Sequence, residues 1–337
     1  MSAASAGSAR FAAALLVGAL AVAALALVAL TLGRYPLSLA DLWSVLAGGE
    51  RTATPATLVV FNVRLPRIAG ALLVGAALAA AGATFQQMFR NPLVAPDTLG
   101  VSAGAALGAV GGIFLGAGVV AIQVLAFAGG LLAVALVWLI ASRMRALDPL
   151  VTLILTGIVV SGLIGAAISL LKYLADPYNT LPAITFWLLG SLAGFASADV
   201  PGAALPIGAA LVVLWLVRWR VNLAALDDDE AHALGVPVRA LRALLVCAAT
   251  LATATAVAFA GIVGWIGLVV PHIVRLLVGP DFGRLLPVSV LSGAAFMLAV
   301  DTLGRTLAAI EVPPGVLTAL VGSPVFVYLL ARVRRSD

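Results

Sequence analysis

From residue 11 to residue 32 the chain carries no charge, and uncharged runs of similar length recur to its end. A helix rises about 1.5 Å per residue, so roughly 20 apolar residues cross the hydrocarbon core of a bilayer. Backbone in hydrocarbon must satisfy its own hydrogen bonds, which leaves only helices or closed barrels. Barrel strands would show as short alternating segments, whereas these runs are continuously apolar. A mean hydropathy of +1.19 with 10% charged residues excludes a soluble globular enzyme. The predicted class is therefore all-α, a polytopic membrane protein whose residues 1–337 form a single transmembrane domain.

Charge, proline and glycine punctuate the runs into about ten spans. The first covers 11–32, too long for the apolar core of a cleaved signal peptide. The second covers 66–87, and 92–140 must be two spans broken in the glycine-rich stretch 111–118. Others cover 150–172, 201–217, 285–303 and 314–331, while 243–278 holds two, broken near Gly261, Gly264 and Gly267. The short stretch 182–195 reads as a surface or re-entrant helix on the outer, periplasmic side. Ten spans put both termini on one side, and the excess of arginine at the inner loops makes that side the cytoplasm. The net charge of +5 is thus a topology signal and gives no reason to expect nucleic acid.

The exception to this apolar pattern is the segment 221–239, where Asp227, Asp228, Asp229 and Glu230 stand in a row. A charge at mid-bilayer costs about 3 kcal/mol or more, so the block must lie in water, on the cytoplasmic side in this topology. Asn91-Pro92 and Asp148-Pro149 pair a capping side chain with a proline suited to a first helical position. They read equally as simple caps or as stiff inner loops suited to a gate.

Some chemistries are excluded. Lys172 is the single lysine and follows no glycine-rich loop, so the chain cannot bind nucleotide through a phosphate-cradling loop of that kind. His232 and His272 stand forty residues apart with no partners at metal-ligand spacing, and no metal site is expected. Cys247, the single cysteine, lies in an apolar run and reads as a packing residue. Ion-coupled transport would need ionisable groups near the midplane. The best candidate, Asp301, has Arg305 four residues on and reads as its helical pair near an outer end.

RLPRIAGALLVGAALAAAGATFQQMFRNPLVAPDTLGVSAGAALG, residues 64–108, resembles the signature of the FecCD family, the permease subunits of ABC importers for ferric siderophores, haem and cobalamin. FWLLGSLAG, ALGVPV, GWIGLVVPHIVRLLVGPDFGRLLP, DTLGRTL and EVPPGVLTALVGSPVFVYLL continue the resemblance in the family's order. It implies the type II importer architecture: about ten helices in a bacterial inner membrane, paired with a second copy. Two ATPase subunits, holding ATP and Mg2+, would dock from the cytoplasm, and a periplasmic substrate-binding protein from outside. The chain itself would be no enzyme and hold no cofactor.

Carried over residue by residue, the ATPase-coupling element is Leu226, Asp227, Asp228, Asp229, Glu230, Ala231, His232, Ala233, Leu234, Gly235 and Val236, with Gly235 at its turn. Docking of the binding protein falls to Arg64, Arg67 and Arg305. The cytoplasmic gate falls to Asn91 and Leu93, with Asp148, Pro149, Leu150 and Val151 in a loop whose LDPLV departs from the Ser/Thr-rich form of some relatives. The implied cargo is a metal chelate, first a ferric siderophore, with haem, cobalamin and molybdate as alternatives. An ion-coupled secondary transporter is the rival class.

Overall fold

A computed structural model describes residues 2–33, 35–47, 54–144, 149–224 and 237–333. Twelve helices form within these residues: α1 (Ser2–Thr31), α2 (Leu39–Leu46), α3 (Pro55–Met88), α4 (Val101–Phe114), α5 (Val119–Ala141), α6 (Pro149–Leu174), α7 (Thr180–Leu189), α8 (Asp199–Ala224), α9 (Val238–Ala260), α10 (Ile266–Val278), α11 (Phe282–Gly304) and α12 (Pro314–Val333). Seven of them, α1, α3, α5, α6, α8, α9 and α11, are long and apolar enough to cross a bilayer. The shorter α4, α10 and α12 bring the number to the expected ten, and α7, with 10 residues, overlaps the expected short helix 182–195 but starts earlier and ends at Leu189.

At the centre is α3. Its residues from Val74 to Met88 are all buried, and most of them are alanine or glycine. Lipid tails are as apolar as leucine, so no hydrophobic drive pulls two helices together inside a membrane. Close van der Waals contact between small residues does the work instead. Gly75 meets Gly293 of α11 so closely that a Cβ on Gly75 would lie 2.1 Å from the Gly293 carbonyl oxygen. Two turns further on, a Cβ on Gly82 would lie 1.8 Å from the Gly267 carbonyl oxygen of α10. α9 and α8 close the remaining sides of α3.

Around this core the helices are mostly peripheral. α1 leaves most of its surface open and lies against α11, with Gly18 on Leu291. α2 begins with a reciprocal cap in which the Ser38 hydroxyl accepts from the Asp41 N–H and the Asp41 carboxylate accepts from the Ser38 N–H. Hydrogen bonds from the Ser38 hydroxyl and backbone hold the Asp41 carboxyl below the usual carboxylate range. Leu42 and Val45 of α2 pack on Val60, while Trp43 faces outward, as expected at a membrane–water interface.

Several boundaries differ from the sequence expectation for identifiable reasons. α3 starts at Pro55 instead of residue 66 and widens into a π-helical stretch, Val59–Arg64, just before Pro66, whose ring nitrogen has no N–H for the ladder. Asn91 is not a helix cap. Its side-chain oxygen accepts from the Leu93 N–H at 2.9 Å and closes a turn, and the next α-helix waits until Val101, after a 3-10 turn at Pro96–Leu99. α8 continues past residue 217 to Ala224, with the Arg218 guanidinium stacked over Trp215 at 3.8 Å. Cys247 lies exposed on α9 instead of packed.

If the glycine contacts hold the core together, Gly82→Val should destabilise the protein by about 3 kcal/mol, the upper end of overpacking costs. A Cβ on Gly208, in α8, would meet nothing within 4 Å, so Gly208→Ala should be neutral or slightly stabilising. Thermal unfolding in detergent, followed by helical circular dichroism, distinguishes the two. Equal melting temperatures for both variants would contradict the packing account.

Candidate functional site

The bundle has two chemically different ends. At the first, the π-helical stretch and the following turn of α3 carry Arg64 and Arg67, three residues apart on one face. They meet Asp301 and Arg305 from the end of α11 and Glu311 from the segment that follows it. Arg67 is saturated by two carboxylates: its Nε donates to both oxygens of Asp301 at 3.0 Å, and Nη1 and Nη2 donate to Glu311 at 3.1 and 3.0 Å. Arg305 lies 3.9 Å from Asp301, the i,i+4 contact expected from the sequence, and donates to the Ala29 carbonyl at 2.7 Å. Arg64 donates to the carbonyls of Leu30 and Tyr35. Two arginines thus satisfy backbone oxygens that α1 leaves open at its C-terminal end, where positive charge also complements the helix dipole.

The sequence brought Arg64, Arg67 and Arg305 forward as docking groups for a binding protein. The structure gathers all three in one cluster, with Arg64 3% exposed, Arg67 8% exposed and Arg305 half-buried. Their guanidiniums are committed to internal partners, so in this conformation they tie α1, α3 and α11 together. What this end presents to solvent is the segment after α11, where Leu307 and Ile310 are exposed.

The opposite end holds the connection from α8 to α9. The coupling residues Leu226, Asp227, Asp228, Asp229, Glu230, Ala231, His232, Ala233, Leu234, Gly235 and Val236 lie outside the described residues. Both anchors of this connection are described, and one of them is a clasp that sequence reasoning missed. The Asn222 side chain donates to the Asp281 carboxylate at 2.8 Å and accepts from the Phe282 N–H at 2.9 Å. Asp281 in turn caps α11 by accepting from the Arg284 N–H at 3.0 Å. The foot of α8 is therefore fixed to the start of α11, sixty residues away in sequence (282 minus 222). Nothing local in the sequence marks Asn222.

At this same end, Asn91 and Leu93 stand in the turn after α3, with Leu93 exposed. Asp148 and the side chain of Pro149 lie outside the described residues. Leu150 and Val151 open α6, and Val151 faces outward. α6 continues as an open apolar face through Leu155, Ile158, Val159 and Leu163, with Gly162 and Gly165 bordered by free space.

A helical bundle with small-residue packing and seven helices long and apolar enough to cross a bilayer is a multi-pass membrane protein. The FecCD transport family profile matches residues 13–332, and the chain belongs to that family. It is 39% identical over 307 residues to the molybdate import system permease protein MolB of Haemophilus influenzae, covering 90% of this chain and 91% of that protein. The cobalamin import system permease protein BtuC of Halobacterium salinarum is 45% identical over 279 residues, covering 82% of this chain and 74% of that protein. A solved inward-facing transporter assigned to the metal-chelate ABC type superposes with a TM-score of 0.86 at 38% identity, covering 94% of this chain and 98% of that one. The fold is that of a type II ABC importer permease.

Removing one member of the arginine–carboxylate cluster leaves buried charge uncompensated. Asp301→Asn should cost about 3–5 kcal/mol. The double change Arg67→Met with Asp301→Leu should cost less than Asp301→Asn, because Glu311 is a third exposed and can be solvated. Thermal melts of the three proteins check this; a double variant less stable than the single one would contradict it.

Proposed function

We propose that this chain is the membrane-spanning subunit of an ATP-driven importer for a metal chelate, the class that includes ferric siderophores, haem and cobalamin. It works as a pair with a second copy. Two ATPase subunits carrying ATP and Mg2+ dock on the α8–α9 connection, and a periplasmic binding protein delivers cargo to the arginine end. The observation that carries this reading is the anchored α8–α9 connection: an acidic segment set on a fixed foot, in a bundle matched to FecCD relatives over most of its length.

Sidedness follows from charge. In the sequence map the connection side carries Arg10, Arg90, Arg143, Arg145, Arg218, Arg220, Arg239, Arg242, Arg275, Arg284, Arg332, Arg334 and Arg335, against Arg34, Arg51, Arg64, Arg67, Lys172 and Arg305 on the other, which supports a cytoplasmic side for the first. Force applied by closing ATPases would reach α11 through the Asn222–Asp281 clasp and α3 through the glycine contacts. α6, with its open face and with Leu150 and Val151 at its start, is the helix suited to line the path between the two copies. The gate groups Asn91, Leu93, Asp148, Pro149, Leu150 and Val151 would close that path on the inside. Arg64, Arg67 and Arg305 would serve docking by holding the exposed segment that carries Leu307 and Ile310 in place.

Molybdate is the alternative cargo, favoured by the similarity to MolB over nine-tenths of the chain. Uptake into proteoliposomes, with each candidate offered on its binding protein, separates the two.

Two variants test the coupling route in such vesicles. Gly235→Trp, at the turn of the coupling element, should abolish cargo uptake while ATP hydrolysis continues. Asn222→Ala should lower uptake several-fold and stability by about 1–3 kcal/mol, the worth of hydrogen bonds to a charged group. Undiminished uptake by Gly235→Trp would sink the coupling assignment.

A further inference from the structure

Within the arginine cluster the two carboxylates are not equivalent, and the difference makes one of them replaceable. The Arg67 guanidinium offers carboxylates two edges, each with two prongs. Along the inner edge, Nε donates to both Asp301 oxygens at 3.0 Å, and Nη2 lies 2.9 Å from Asp301 Oδ1. Along the outer edge, Nη1 and Nη2 donate to the two Glu311 oxygens at 3.1 and 3.0 Å. The Asp301 side chain is 1% exposed, whereas that of Glu311 is 33% exposed and already meets water.

Their backbones differ too. Asp301 is held within α11, but Glu311 ends a loop that leaves this helix at Gly304. Residues 306–310 of the loop are all exposed. Its neck is fixed: the Val312 N–H donates to the Gly304 carbonyl at 2.8 Å, and Pro313 and Pro314 follow. Glu311 therefore stands beside a closed neck and can leave Arg67 by rotating its own side chain, with no helix unwound. Leu307 and Ile310 offer exposed apolar surface on the same loop.

Both edges of Arg67 are taken, so a carboxylate arriving from outside finds no two-pronged seat there until Glu311 leaves. Exchange of one carboxylate for another keeps the buried guanidinium doubly paired. Plain loss of Glu311 would leave part of its hydrogen bonding unmet. Charge also favours an incoming anion, since Arg64, Arg67 and Arg305 outnumber Asp301 and Glu311 in this cluster among the described residues.

We propose that Glu311 is an internal stand-in for a carboxylate of the docking protein: it occupies the outer edge of Arg67 in the undocked permease and yields it to an Asp or Glu side chain of the partner on docking. This rests on the reading of the arginine end as the dock for a binding protein, and it names the contact made there and the residue that regulates it. Leu307 and Ile310 supply the apolar contact that brings the partner's acid to the edge. By competing for Arg67, Glu311 keeps docking weaker than the arginine alone would make it and shortens the life of the docked complex.

The probe is the permease's own binding protein, cargo-free and fluorescently labelled, titrated onto the permease–ATPase complex in lipid nanodiscs. Glu311→Gln should tighten binding at least about fivefold, mainly through slower dissociation. Arg67→Lys keeps a positive charge on Asp301 but has no two-pronged edge. It should weaken binding at least about fivefold, and Glu311→Gln added to it should restore nothing. Asp176→Asn removes an exposed carboxylate from the turn after α6, on the same outer side, and should leave binding unchanged. Equal tightening by Asp176→Asn and Glu311→Gln would show general repulsion instead of exchange and overturn the proposal. So would a gain from Glu311→Gln that persists undiminished beside Arg67→Lys. Should Arg67→Lys fail to fold, the comparison of Glu311→Gln with Asp176→Asn decides. Glu311→Gln without effect while Arg67→Lys weakens binding would remove the exchange and leave the docking end standing. Wild-type binding by both variants would remove the docking end as well.

Discussion

The structure depends on how close α3 comes to its neighbours. Where Gly75 meets Gly293 and Gly82 meets Gly267, backbone touches backbone with no side chain between. In lipid this contact replaces the hydrophobic effect as the force that selects partners. From Val74 to Met88 α3 is enclosed on all sides, so a shift of this stretch would be felt by every helix packed on it. Its outer third ends in Arg64 and Arg67, its middle makes the glycine contacts, and the turn after it holds Asn91 and Leu93.

Charge is then placed where the fold can use it. At one end Arg67 joins Asp301 and Glu311 across more than 230 residues of sequence, while Arg64 and Arg305 fasten α1 by its backbone carbonyls. A buried cluster of this kind adds little net stability, but it is intolerant of losing a member. It therefore fixes geometry at the end where a cargo carrier would dock. At the other end the Asn222–Asp281 clasp fixes the foot of α8 without burying net charge deeply. The result is a stiff core with one anchored handle, an arrangement able to pass on a push.

Much of this was legible in the sequence. Apolar runs announced the long helices, and glycine clusters marked the breaks before Val119 and after Ala260. The i,i+4 spacing of Asp301 and Arg305 announced their contact. Contacts between distant segments were not legible. Nothing near Asp301 reveals that Arg67 is its main partner, or that Glu311 shares it. Arg64, Arg67 and Arg305 were legible as a group, yet their burial depends on α1 lying alongside.

The remaining question is what drives transport. In the proposed function ATP is the source of work. The most direct measurement is uptake into proteoliposomes that contain the permease pair, its ATPases and a loaded binding protein, with ATP and the sodium gradient varied independently. Uptake should follow ATP inside the assay and persist when ionophores collapse every ion gradient. Uptake that continues after ATP depletion and stops when the sodium gradient is collapsed would contradict the account.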